Sequence, residues 1–535
     1  MRKRYFQFLT IVILCFFPLI KSNSATSLLS ENLSFEWQNN EVSMTLAQLT
    51  PHAPINITSD SQFELLGFPG NGSEDEPFLI KDLEIEGSPG VDCISISDSV
   101  LSHYEIRGCH LSDSTTGVGI RLGAGHGTVE SCEIYNCNTG VLLESNGHRI
   151  RSSEIHNNSI GFSAEEVDDV RVEASTFYEN SGIGPHQIIF DEISGLTIKD
   201  NSFSDSIILI GSCIGTTVSN NIFHIDESAG YLSIQYSQDC TVDSNTFDLN
   251  GLPGIILTSS ENITIIDCDF VVGPNRGGGL GIDFGSHTLR DITIQRCTFI
   301  SASCAGLNVE EGLLITECSF TNGSIDLQNS HSAEISSNVI NGGYIDIEMN
   351  CTNSVIFNNS LVNSFGVRVL VNNEGVIVSS NSIIGFGSGN GLQIESDNIV
   401  VRFNSIENFD YGISIEDSSS CAIYNNTIFD NNLGIKIGVG CSSHTLYYNI
   451  LYYNIQNAND DGTNNIWDDG VSLGNYWGNL DAPGEYVIPG SAESVDRYAR
   501  PYRIPIIPPT PLVLLIIVGA GVVGVVVAVV CLRRR

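Results

Sequence analysis

The amino-acid sequence predicts an all-β fold, a right-handed parallel β-helix solenoid of about sixteen coils, followed by one C-terminal transmembrane helix. Three observations predict it. A short phrase recurs through most of the chain, a second phrase of alternating polarity lies between its copies, and apolar segments stand at both ends.

At the N-terminus, Arg2, Lys3 and Arg4 precede an apolar run from Phe6 to Ile20, and the small polar residues Ser22, Asn23, Ser24 and Ala25 follow it. That order is the pattern of a cleaved secretory signal, residues 1–25. Residues 26–90 carry no repeat and are expected to cap the first coil, because an open coil edge invites association with another chain.

Residues 91–456 carry the repeat. The phrase aliphatic-x-x-(Asn, Cys or Ser)-x-(aliphatic or Phe) centres on Cys109, Cys132, Ser153, Ser175, Asn201, Asn221, Asn245, Cys268, Cys297, Cys318, Asn338, Asn359, Asn381, Asn404, Asn426 and Asn449. Successive centres stand 20 to 29 residues apart, and each has Ile, Val or Leu three residues upstream. Its inward residues are three and then two apart, and since strand side chains alternate faces, the odd step requires a bend. The second phrase is glycine followed by alternating apolar residues, as in Gly391-Leu392-Gln393-Ile394 and Gly412-Ile413-Ser414-Ile415. That alternation is a half-buried strand. Such a coil cannot bury its inner face alone, but stacked on neighbours ~4.8 Å away it makes a continuous core, and sixteen coils span roughly 75 Å. Asn at the phrase centre then lies above its equivalents, and its amide can hydrogen-bond along the stack. Leucine-rich repeats share this period, but Ile, Val and Phe dominate here and the rest of each repeat has period two, which favours the β-helix.

Residues 457–500 form the expected C-terminal cap, and 501–511, with prolines at 505, 508, 509 and 511, a stiff stalk. Residues 512–532 are uncharged and apolar, long enough to span a bilayer. The arginines at 533–535 hold the tail, residues 533–535, on the cytoplasmic side, so the expected location is the plasma membrane with the ectodomain outside. Ala520, Gly524 and Ala528 recur at four-residue spacing, which would let two such helices approach and dimerise.

Seven of the 23 Lys and Arg lie in the two apolar ends, leaving 16 against 62 Asp and Glu in the ectodomain, a formal charge of −46. This charge repels nucleic acid, anionic lipid and polyanionic sugars and attracts cations and basic partners. The expected partners are therefore the membrane, neutral glycans and other surface proteins. Nine Asn-x-Ser/Thr sequons, at Asn32, Asn56, Asn71, Asn157, Asn262, Asn322, Asn350, Asn358 and Asn425, are candidates for N-glycosylation of a secreted surface. Of the fifteen cysteines, thirteen lie in the ectodomain, so an odd one is left without an intrachain disulfide. Cys109, Cys132, Cys268, Cys297 and Cys318 fall at phrase centres, where they are expected to stack as small buried residues, although neighbours such as Cys297 and Cys318 are close enough to bond.

The candidate site comes from the outward positions of the glycine-phrase strands. Stacking is expected to place Asp283, Asn308, Asp326 and Asp346 in one column and Glu310, Gln328 and Glu348 in the next, with Arg368 and Lys436 ending the acidic run. Carboxylates ~5 Å apart can hold a hard cation such as Ca2+, or push one another's pKa apart to supply an acid and a base. An ordinary solvated face on an acidic protein is the plainer reading. No cofactor motif is present.

The segment HAPINITSDSQFELLGFPGNGSEDEPFLIKDLEIEG, His52 to Gly87, and NNIWDDGVSLGNYWGN, Asn464 to Asn479, resemble the flanks of NosD-like members of the right-handed β-helix proteins of prokaryotic cell surfaces. That group includes carbohydrate-binding proteins and sugar hydrolases, and the resemblance covers nearly all of the ectodomain. It implies the β-helix fold; the copper-site role of NosD proteins does not transfer with it, because fold does not imply function. An acidic, glycine-rich loop that follows Asn-Tyr-Trp in such relatives is short here, at Asp481 to Glu485. Gly125-His126-Gly127 resembles a polygalacturonase motif without its acidic companions, and Gly184-Pro185-His186-Gln187 resembles the Asp-Pro-His motif of alginate epimerases without the aspartate. The reading that follows is a membrane-anchored, non-catalytic surface β-helix displaying a polar face for glycans, cations or proteins. A polysaccharide hydrolase or lyase and a NosD-like copper-handling protein are the alternatives.

Overall fold

The computed structural model describes residues 49–503, apart from 124–125, 182–186, 226–229, 274–278, 285–288 and 308. The expected signal, stalk, transmembrane helix and cytoplasmic tail, with Asn32, Gly125, Gly184, Pro185, His186 and Asn308, lie outside the described residues. Among the described residues no helix is long and apolar enough to cross a membrane.

Each turn of the chain makes three short strands separated by bends. In one turn these are Thr298–Ile300, Ala302–Leu307 and Val309–Thr316, and each pairs in parallel with its equivalent one turn on, Ser319–Thr321, Ile325–Gln328 and Glu334–Ser336. The result is a right-handed solenoid of about 17 turns with three long parallel sheets, here called first, second and third in the order the chain visits them.

The strands are short because the chain must turn twice within about seven residues, and the turns recur at left-handed residues such as Asn220 (φ 54°), Asn358 (φ 56°) and Asn425 (φ 56°). Asn, Asp and Ser fill most of these places, since a short polar side chain tolerates that conformation better than a bulky one. Inside, the middle residue of each first-sheet strand is apolar, and seven consecutive turns place phenylalanine there. Phe177, Phe203, Phe223, Phe247, Phe270, Phe299 and Phe320 stack with centroids 4.5–5.2 Å apart and planes within 18°. Every one is essentially buried, and burial of a side chain of this size contributes about 1.5–3 kcal/mol.

The expected amide ladder is present. The backbone N–H of Asn381 donates to Oδ1 of Asn404 at 2.9 Å, and Asn404 repeats this to Asn426 (3.0 Å) and Asn426 to Asn449 (3.1 Å). Each Nδ2 also donates to a carbonyl of the preceding turn, as Asn404 does to Val378 at 2.8 Å. Where cysteine takes the position, Sγ–H of Cys268 reaches the carbonyl of Val242 at 3.5 Å, so the thiol substitutes for half of the amide.

The turn count exceeds the sixteen expected because the ends do not spell the phrase. Leu83 pairs one residue before the Glu84↔His110 register, level with Cys109, and Ile80 lies opposite Ile106, so a coil precedes the first phrase with leucine in the polar place. Asn475 continues the ladder past Asn449 at 3.0 Å although Ser472 stands where an aliphatic residue is usual.

Both ends are closed. At the N-terminal end the helix Ser61–Leu65 lays Phe63 on Phe78, centroids 4.7 Å apart, and Phe78 in turn lies opposite Tyr104 of the next coil. At the C-terminal end Gly484–Val487 pairs antiparallel with Val495–Pro501. There Asp460 accepts from Trp467 Nε1 (2.9 Å) and Asn465 Nδ2 (2.8 Å), and Asp496 accepts from Trp477 Nε1 (2.9 Å) and the N–H of Asn475 (2.7 Å). These carboxylates are fully buried and fully partnered, which is what permits their burial.

Candidate ligand-binding face

Register along the second sheet defines one outward column: Asp283, Ala305, Asp326, Asp346, Arg368, Gln393, Ser414, Lys436 and Asn459. Asp326 and Asp346 are direct neighbours as expected. Asp283 stands in the same column but Ala305 separates it from them. Gln328 and Glu348 also meet as expected, Nε2 of Gln328 donating to Glu348, although a register shift after Leu327 sets Met349 opposite Gln328.

Glu310, expected in the second column, lies on the third sheet, where it pairs with Arg290 (Nε to Oε2, 2.6 Å). Only residue 308 separates the second-sheet strand Ala302–Leu307 from the third-sheet strand Val309–Thr316, so Glu310 is already around the corner. The inward residue of this turn is Cys304, opposite Ile325. Taking glycine as the marker displaced the register by three positions.

The carboxylate oxygens of Asp326, Asp346 and Glu348 converge within 4.8 Å of one another. Asp346 is only 1% exposed, and the guanidinium of Arg368 donates to both of its oxygens through Nε and Nη2. The same guanidinium lies 5.4 Å from the ring centroid of Tyr344. Gly366 makes this possible: its φ of +87° returns the chain to the sheet two residues before Arg368, and a Cβ there would meet the carbonyl of Asn390 at 2.2 Å. Burial, helped by the charge of Glu348, pushes the Asp326 carboxyl up to about 6 against the pull of Arg368 and Tyr344. Burial also raises Asp283.

Four turns past Asp346 the face carries a second group. Lys436 Nζ lies 2.9 Å from Glu416 Oε1 and 5.1 Å from the Tyr411 ring centroid. Hydrogen bonding to Lys436 holds the Glu416 carboxyl below its usual range. Gln393 and Ser414 lie between the two groups. The face therefore presents carboxylates, amides, hydroxyls, two cations and two tyrosines on one rigid sheet. The partnership of Arg368 with Asp346 and Tyr344 was not read from the sequence, although Arg368 was placed at the end of the acidic run.

Of the sequon asparagines, Asn56 lies on a second-sheet strand and Asn71 in the excursion after it. Asn157, Asn322, Asn350, Asn358 and Asn425 lie at bends, and Asn262 lies on the third-sheet strand Glu261–Ile266. The thirteen cysteines among the described residues are buried and free.

Two family models match the chain: right-handed β-helix region, over residues 92–224 and 186–313, and periplasmic copper-binding protein (NosD), over residues 286–482. With the solenoid described above, these matches show the right-handed parallel β-helix fold, and residues 286–482 are NosD-like. Among curated proteins none matches. Similar solved structures include the A-module of a mannuronan C-5 epimerase from Azotobacter vinelandii, at 15% identity over 72% of this chain and 87% of that one, TM-score 0.26. A periplasmic alginate epimerase matches at 13% identity over 75% and 77%, TM-score 0.25. PfbA, a surface adhesin of Streptococcus pneumoniae, matches at 11% identity over 69% and 85%, TM-score 0.23.

The described residues of the NosD-like segment do not fit copper. Copper sites are built from convergent imidazole, thiolate or thioether donors. Here Cys297, Cys304, Cys318, Cys351, Cys421 and Cys441 are at most 1% exposed, and burial pushes the Cys351 and Cys421 thiols up to about 11. His444 is buried, its Nδ1 accepts from the N–H of Cys421 at 3.1 Å, and burial lowers it to about 4. His331 is exposed and bonds Thr352 at 2.8 Å. Trp467, Asn475 and Trp477, which carry the resemblance to NosD flanks, close the solenoid end. Among the described residues the one group of three or more convergent donors is Asp326, Asp346 and Glu348, an oxygen set suited to a hard cation.

Proposed function

We propose that the protein is a cell-surface β-helix, anchored by its C-terminal segment, whose second-sheet face from Asp326 to Lys436 binds glycan chains. The observation that carries this reading is the Asp326–Asp346–Glu348 group with Arg368 and Tyr344. Polar groups of fixed geometry on a flat, repeating surface can bond successive sugar hydroxyls, and an aromatic ring beside them offers an apolar contact. Repetition every ~4.8 Å suits a ligand that is itself a repeating polymer. On this face the acids Asp326, Asp346, Glu348 and Glu416 outnumber Arg368 and Lys436, which favours neutral or cationic sugars over uronic acids.

A second reading, a polysaccharide hydrolase, is favoured by the Asp326 carboxyl alone. With its pKa raised to about 6, it can give a proton to a leaving oxygen at near-neutral pH while an ionised carboxylate within 4.8 Å bonds the anomeric carbon as that oxygen leaves, and water then releases the sugar. The test is a glycan array probed with the purified full chain, with and without Ca2+, followed by mass analysis of each bound glycan. Retention without cleavage supports the binding face, products support the hydrolase, and no bound glycan sinks both.

A further inference from the structure

Six of the Asn-x-Ser/Thr asparagines share one backbone conformation, five at bends of the solenoid and Asn262 within the strand Glu261–Ile266. Asn157, Asn262, Asn322, Asn350, Asn358 and Asn425 all have φ between 53° and 56°. Five of the six are exposed and Asn425 is half-buried. Asn157 and Asn322 lie between first and second sheets, Asn350 between second and third, and Asn358 and Asn425 between third and first, while Asn262 lies within the third-sheet strand Glu261–Ile266.

We propose that these six asparagines carry N-linked oligosaccharides. The proposal rests on the extracellular location in the functional reading above. The donor class is a lipid-pyrophosphate-linked oligosaccharide. The Asn Nδ2 forms a bond to the anomeric carbon, the anomeric C–O bond breaks with its electron pair leaving on the pyrophosphate, and one amide proton passes to base. Nδ2 keeps its second N–H, so its present bonds survive: Asn350 to Asn329 Oδ1 (2.8 Å), Asn358 to Ser337 Oγ (3.1 Å) and Asn262 to Asp239 Oδ1 (2.5 Å). None of the six asparagines belongs to the buried amide ladder. Asn322 precedes Asp326 by four residues on one edge, and Asn350 follows Glu348 by two on the other, so two glycans border the charged group from both sides and leave the sheet face open.

The experiment is peptide mass mapping of the full chain purified from the membranes of its native cells. Peptides containing the six asparagines are expected to carry sugar mass increments. Asn322→Gly and Asn350→Gly variants, which keep the left-handed bend unstrained, are expected each to lose one increment and to keep the wild-type Tm. All six peptides at bare polypeptide mass would overturn the proposal. Array binding by such an unmodified chain would leave the binding face standing, and modified peptides without array binding would do the reverse.

Discussion

Arg368 holds both oxygens of Asp346, a carboxylate only 1% exposed on the outward side of a sheet. Removing one partner of such a pair leaves the other desolvated and alone, so Arg368→Ala should destabilise the chain by about 2–4 kcal/mol, the lower end reflecting the exposure of the arginine. Replacing both by apolar residues, Asp346→Leu with Arg368→Met, should recover most of that loss. Urea unfolding of the two variants checks this, and equal losses would show that the pair is not a unit.

Asp326 makes stability depend on pH in an identifiable direction. Its folded pKa is about 6, raised from 3.8, so between these values the folded chain binds the extra proton and stability falls as pH rises. The penalty is fully present above pH 6 and absent below about pH 4. Asp326→Asn should therefore stabilise by about 1–2 kcal/mol at pH 7, discounted for the solvated part of the side chain, and by almost nothing at pH 4. Wild-type minus variant Tm across that range is the measurement, and a flat difference would refute the assignment.

In the ladder, Asn404→Ala deletes the bonds to Val378 O and Asn426 Oδ1 and strands the N–H of Asn381. The expected cost is about 2–4 kcal/mol, from net bonds near 1 kcal/mol each plus an orphaned buried donor. Asn404→Cys should cost less, since the thiol at Cys268 already makes the backward bond. Chemical denaturation of the two variants tests the order.

Phe247 stacks between Phe223 at 4.5 Å and Phe270 at 4.9 Å. Phe247→Ala should cost about 3–5 kcal/mol through the cavity it leaves. Because each coil touches only its neighbours, hydrogen exchange should accelerate most in the turns beside residue 247, and uniform acceleration would contradict that locality.

Legibility in the sequence followed physical constraint. The ladder was readable because nearly every coil carries a small hydrogen-bonding side chain where the chain bends inward, and the residue type reports that directly. The first coil was not, because Leu83 fills the polar place and breaks the phrase while its neighbours Ile80 and Ile85 keep the spacing. At the site, the Asp326–Asp346 neighbours were readable from strand alternation. Glu310 was misplaced because Gly306 was taken as the register mark while Cys304, a small inward residue, carries it. The grip of Arg368 on Asp346 was hidden because an outward column reads as solvated, and burial of an outward side chain depends on neighbours in adjacent coils. The C-terminal tryptophans looked like family signature, yet each bonds a buried carboxylate at the closing edge.

The amide ladder runs one way. Each asparagine donates forward through N–H and Nδ2 and accepts from behind through Oδ1, up to Asn475, whose N–H and Nδ2 reach Asp496 Oδ2 at 2.7 and 3.3 Å. An ionised carboxylate receives and has nothing to pass on. The column is thus a directed polymer whose units are interchangeable and whose terminator is chemically distinct. Whole turns inserted or deleted between Asn359 and Asn449 leave every donor matched to an acceptor, so rod length is free to vary by integral turns while the end group remains the same.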